Sequence, residues 1–108
     1  MTWEVSFVMR VSFRQSGGVV GAVRACVLDS ARLAPDDARE LEELVRASGL
    51  SASGAFLTPE ARDLRLYEIE VESEKENVRV TFDDQSLPEQ ARPLLSFLRR
   101  NARPEAAA

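Results

Sequence analysis

The sequence predicts an α+β domain of two layers: a four-stranded, mostly antiparallel sheet with two helices packed on one face, in the order strand, strand, helix, strand, strand, helix. Three observations predict it. Residues 4–14 alternate apolar and polar side chains, and the alternation returns over residues 66–73, which is the period of a half-buried strand. Each of these runs is followed by a turn and a second apolar, β-branched run. Each pair of runs is followed in turn by a segment with helical spacing and helix-boundary residues. Neither helix is long enough to persist alone, so each must bury its apolar stripe on a shared sheet.

In the first strand Val5, Phe7, Met9, Val11 and Phe13 share one face, and Glu4, Ser6, Arg10, Ser12 and Arg14 the other. Gln15, Ser16, Gly17 and Gly18 interrupt the run with residues that tolerate turn geometry. Val23, Ala25 and Val27 then fall in step on the returning strand, which gives a hairpin with its loop at residues 15–22. Gly21, inside the returning run, marks a bulge or a close backbone approach. The first helix is announced by Pro35, by Asp36 and Asp37 in its first turn and by Gly49 as its stop. Ala38, Leu41, Leu44 and Val45 form its buried stripe. Residues 50–63 lack a period and read as a surface connection, with Phe56 and Leu57 pinned to the core.

The second hairpin sets Tyr67, Ile69 and Val71 on one face and Glu68, Glu70 and Glu72 on the other. Val78, Val80 and Phe82 form its returning face, in a register that places Ser73 opposite Val78, Glu72 opposite Arg79 and Val71 opposite Val80. Ser86-Leu-Pro-Glu89 has the form of a capping box, and Ala91, Leu94, Leu95 and Leu98 continue at helical spacing, with Pro93 kinking the helix or delaying its start. Residues 1–100 are expected to form one domain and residues 101–108 a frayed tail.

Composition narrows the function. A chain of 108 residues with 44% hydrophobic and 30% charged residues has the balance of an ordinary globular domain. No apolar run approaches the roughly 18 residues of a membrane span. The opening residues show neither a basic n-region nor an apolar h-region, so a cytoplasmic location is expected. Net charge of −4 and a pI near 4.9 disfavour nucleic acid as a partner. With one cysteine and no histidine, the Cys/His zinc sites and Ser-His-Asp triads lack their ligands and bases. No metal, no cofactor and no enzymatic activity are expected.

The individual candidates point the same way. Ser16-Gly17-Gly18 lacks the Lys-Ser/Thr and the helix of a phosphate-binding loop. Asp83 and Asp84 are adjacent on a strand end and so face apart, which suits a turn better than a catalytic pair. Cys26 sits in an apolar run with no base to activate it. Glu68, Glu70 and Glu72 lie in a line, unlike the converging oxygens of a calcium loop. On the residues alone, this acidic strand face suggests a non-enzymatic interaction module that holds a basic partner, with binding that weakens as salt rises.

Three segments carry a resemblance: Arg10-Val-Ser-Phe-Arg-Gln-Ser-Gly-Gly18, Leu33-Ala-Pro-Asp-Asp-Ala-Arg-Glu-Leu-Glu-Glu-Leu-Val-Arg-Ala-Ser-Gly49 and Arg92-Pro-Leu-Leu-Ser-Phe-Leu-Arg99. In this order and spacing, over residues 10–50 and 64–100, they resemble the emfourin family of protealysin inhibitors. The chain departs from that family in having Leu50-Ser51 where an aromatic pair usually follows the first helix, in residues 51–63, and in residues 1–8, which precede the usual start near Met9. The resemblance implies an inhibitor of thermolysin-like zinc metalloproteases, enzymes whose deep cleft prefers a bulky apolar residue after the cut bond. On that implication the thin hairpin tip of Gln15, Ser16, Gly17, Gly18, Val19, Val20 and Gly21 enters or covers the cleft, with Val19 or Val20 offered to the apolar pocket. Residues 4–8 of the long first strand, if unpaired within the domain, would form an edge through which two copies could pair as a homodimer.

Overall fold

A computed structural model of the chain describes residues 9–17, 23–59, 63–74 and 76–104. Six strands form one mixed sheet in the order β3-β5-β4-β1-β2-β6. β1 (Arg10–Gly17) and β2 (Arg24–Asp29) form the first hairpin, and β4 (Arg65–Glu72) and β5 (Asn77–Asp83) the second. The hairpins join through the antiparallel pairing of β1 with β4, so β1 lies at the centre of the sheet. α1 (Pro35–Ser48) and α2 (Arg92–Asn101) follow their hairpins as the helical spacing predicts.

Two short strands extend the expected four. β3 (Gly54–Phe56) lies within the segment read as a structureless connection and pairs parallel to β5. β6 (Arg103–Pro104) lies within the segment read as a frayed tail and pairs antiparallel to β2. Asn101 closes α2 and Ala102 is buried, so the domain runs past residue 100; residues 105–108 lie outside the described residues. Both additions correct the four-stranded expectation. Strands of three and two residues have no alternation to detect, and their backbones are recruited by the open edges of β5 and β2.

The core is one cluster. Val11 and Phe13 of β1, Tyr67, Ile69 and Val71 of β4, and Val78, Val80 and Phe82 of β5 share the inward face of the sheet with Leu41 of α1 and Leu94, Leu95, Phe97 and Leu98 of α2. Burying such side chains stabilises by roughly 1.5–3 kcal/mol each, which is what holds two short helices in place. α2 lies on β2 and the sheet, while α1 packs mainly on α2 and the turn before it.

Local details depart from expectation in three places. On β2 it is Cys26 and Leu28 that pack against the core, whereas Val27 is 63% exposed on the open face. The apolar run of β2 carries no period of its own, and pairing of Phe13 with Cys26 decides which residues turn inward. In the second hairpin Glu70, not Glu72, is opposite Arg79, and Val71 is opposite Val78. The shift of two residues leaves every side chain on its predicted face; it arises because Ser73 N–H donates to Glu76 C=O and closes the loop earlier. The expected capping box does not form. Ser86 turns back to accept the amide of Asp83, and a 3-10 turn, Glu89–Ala91, precedes α2, which begins at Arg92 with Pro93 in its first turn.

α1 ends as predicted, with Gly49 in the left-handed region. Among the described residues no helix is long and apolar enough to cross a membrane.

Candidate functional site at the hairpin end of the sheet

The register brings the ends of several elements to one end of the sheet. Gly17, the last residue of β1, is opposite Arg65, the first of β4; Leu66 is opposite Asp83, the last of β5; Arg24, the first of β2, is opposite Pro104 of β6. Phe56, the last residue of β3, lies beside Phe82 at this same end. Of the residues predicted to meet a protease, Gln15, Ser16 and Gly17 are here as the close of β1, with Gln15 paired to Arg24. Gly18, Val19, Val20, Gly21 and Ala22 lie outside the described residues, as do residues 4–8, on which the homodimer rests.

Gly17 fixes where the tip leaves the sheet. Its φ is +82°, and a Cβ at this position would stand 2.9 Å from the carbonyl oxygen of Leu64. The left-handed conformation and the backbone contact both require glycine. The residue read as part of a permissive loop is therefore a fixed corner, pressed against the strand that supports it.

The other side of the end is set by two aspartates. Asp83 is buried, and its carboxylate accepts hydrogen bonds from the Thr58 amide and from the Thr58 hydroxyl at 2.9 Å, and from the amides of Gln85 and Ser86 at 2.8 Å each. Burial alone would raise its pKa, but these donors outweigh it and hold the carboxyl at about 2. Asp84 accepts the Arg65 amide at 2.9 Å and the Tyr67 hydroxyl. Burial, followed by this bond to Asp84, pushes the Tyr67 phenol up. The pair engages different partners and clamps the strand ends, as a strand end and turn should.

Between Asp83 and the outer edge, Phe56 stacks on Phe82 with ring centroids 5.5 Å apart. Phe56 is nevertheless 48% exposed and Leu57 50% exposed, so the expectation that both are pinned to the core is corrected. They leave an apolar surface at the edge of this end. The sequence signal was the pairing of two large apolar residues in an otherwise polar, Ser- and Gly-rich segment.

The alternative site takes a different form from a bare acidic row. Glu68, Glu70 and Glu72 stand on the open face of the sheet beside Arg14 at 3.8 Å, Arg79 at 3.2 Å and Arg10 at 3.7 Å respectively. Each carboxylate is opposite its arginine across a strand pair, so the face is an alternating ladder with little net negative charge. Cys26, half-buried, donates its S–H to the Leu98 carbonyl at 3.6 Å, and burial pushes its thiol up to about 11. At that value it is a poor nucleophile at neutral pH. Among the described residues no group of three His, Cys, Asp or Glu could hold a metal ion.

The fold and this end define a class: a small two-layer α+β domain whose distinctive groups stand along the end of the sheet where β1 closes at Gly17. The family model described as Emfourin matches residues 13–99, and the chain belongs to the Emfourin family, a family of inhibitors. The match runs from within β1 to within α2 and includes the segment containing β3, where the resemblance read from the sequence had a gap. Searches of curated proteins and of solved structures return no match.

Proposed function

We propose that this chain inhibits thermolysin-like zinc metalloproteases by occluding the active-site cleft with the tip of its first hairpin, in the cytoplasm beside the protease that it restrains. The family match over residues 13–99 carries the reading. Its geometry is supported by Gly17, whose positive φ against Leu64 anchors the tip at the end of a central strand rather than at a frayed edge. Val19 or Val20 would fill the apolar pocket of the enzyme, and Phe56 and Leu57 would extend the contact toward the roughly 1,200–2,000 Å² that stable complexes of this kind bury. The alternating ladder of the open face gives the rival acidic-face reading little support.

The test is a titration of a thermolysin-like protease with the purified chain, following cleavage of a small peptide. Stoichiometric loss of activity with the chain left uncut is expected. A Val19→Asp, Val20→Asp double variant should keep its fold and lose at least tenfold in inhibition, since an apolar contact replaced by a desolvated charge costs well over about 1.4 kcal/mol. Full inhibition by a folded double variant would overturn the role of the tip.

A further inference from the structure

The chain is acidic overall, yet its hairpin end holds a concentration of arginines. Arg24 at the start of β2, Arg99 and Arg100 in the last turn of α2, and Arg103 of β6 are all exposed. Gln15, Arg24, Arg99, Arg100 and Ala102 line a cleft of about 230 Å³ at the root of the hairpin tip. Arg24 donates to the Ala102 carbonyl at 3.3 Å, which holds its guanidinium in the wall of the cleft. The Arg100 guanidinium lies 5.5 Å from the centre of the Phe97 ring, so it too is held by the protein surface.

Six other arginines face carboxylates: Arg10, Arg14, Arg39, Arg46, Arg79 and Arg92 each have one within 4 Å, whereas Arg32 and Arg65 have none among the described residues. Among the described residues, Arg24, Arg99, Arg100 and Arg103 have none. At this end Asp84 is engaged by the Tyr67 hydroxyl and the Arg65 amide. Basic residues in the last turn of a helix also complement its dipole, which accounts for one or two of them. It does not account for Arg24, which comes from β2 and lines the same cleft.

We propose that this cleft takes up carboxylates of an acidic protein surface, so that it serves as an electrostatic anchor beside the tip. Arginine suits this task, because its planar fork accepts a carboxylate in two parallel hydrogen bonds. The inference rests on the inhibitor reading for its partner, which would be an acidic rim of the protease cleft. The two contacts divide the work. Arginines at the root speed and orient the encounter, while the apolar tip slows dissociation. The required partner charge is opposite to that expected by the acidic-face reading.

Two measurements test the anchor. In the first, a short poly-glutamate peptide is titrated into the full chain and followed by two-dimensional NMR of backbone amides and arginine Nε–H groups. Saturable shifts confined to Arg24, Arg99, Arg100 and Ala102 are expected, and they should vanish in an Arg99→Gln, Arg100→Gln double variant whose other amide shifts are unchanged. Equal shifts at Arg10, Arg14 and Arg79, or equally tight binding of inorganic phosphate, would overturn it. In the second, association and dissociation rates with the protease are measured as salt rises from about 0.02 to 0.5 M. An Arg99→Glu, Arg100→Glu variant should associate at least about tenfold more slowly at low salt, with a difference that shrinks at high salt and an unchanged dissociation rate. Identical association rates would overturn the anchor while leaving inhibition intact. Absence of any inhibition, with the poly-glutamate shifts preserved, would instead remove the protease and leave the acidic-surface site standing.

Discussion

At the scale of single residues, Gly17 and Asp83 hold the hairpin end together and can be tested separately. A Gly17→Ala variant must adopt a left-handed conformation and push its methyl group into the Leu64 carbonyl. It should unfold at about 1–3 kcal/mol lower stability in a urea titration, with inhibition falling as the tip is displaced. Asp83 makes a statement about pH. Its carboxyl titrates at about 2 in the folded chain against an ordinary 3.8, so the folded state favours the ionised form. A depressed pKa contributes stability that is complete above the unfolded value and is lost as pH falls through the folded one. Thermal unfolding followed at several pH values should therefore show a melting temperature independent of this group above about pH 5. It should fall between about pH 4 and 2, with a shallower fall in Asp83→Asn. Equal slopes in both proteins would mean that the four hydrogen bonds to Asp83 do not favour its charge. Cys26 gives a third check: half-buried and with its thiol at about 11, it should react with an alkylating reagent at neutral pH much more slowly than a free thiol does.

At the scale of elements, the parts legible in the sequence are those in which side-chain pattern and backbone structure coincide. Val11 and Phe13, or Tyr67, Ile69 and Val71, turn inward because strict alternation and one-sided burial demand the same face. Pro35 and Gly49 delimit α1 because their backbone constraints act locally. β3 and β6 were not legible, since their existence depends on unpaired groups of β5 and β2 rather than on their own residues. The same reason hid the Ser86 contact, where a hydroxyl with two uses was taken by Asp83 instead of the helix. The arginine cleft was illegible because Arg24 and Arg99 are far apart in the chain and meet only through the packing of α2 on β2. That packing is itself testable. Leu94 and Leu98 are fully buried on α2, and truncating either to alanine should cost about 2–5 kcal/mol, measured by chemical denaturation. Leu98→Ala should also disturb the cleft, because the Leu98 carbonyl receives the Cys26 S–H and Arg99 follows it directly.

At the scale of the whole molecule, one cluster joins both hairpins and both helices, so the domain has no part that can keep its core after another is lost. It should unfold in a single cooperative step. Its edges are managed differently from its core. β5 is covered by three residues of β3 and β2 by two of β6, which leaves the outer groups of residues 26–29 beyond the reach of β6. Val27, 63% exposed on β2, leaves an apolar side chain beside this open edge. Removing residues 103–108 deletes β6 and extends the open edge along all of β2. The two-residue pairing contributes only about 1–2 kcal/mol, so the core should survive and the truncated chain should still fold. Its altered property should be association: sedimentation or gel filtration at rising concentration should show dimers or larger species in the truncated chain at concentrations where the full chain stays as it is. A Val27→Lys substitution in the truncated chain should reverse the effect, because a charge on an edge strand opposes pairing with a second copy. If truncation leaves association unchanged, β6 is not what protects this edge.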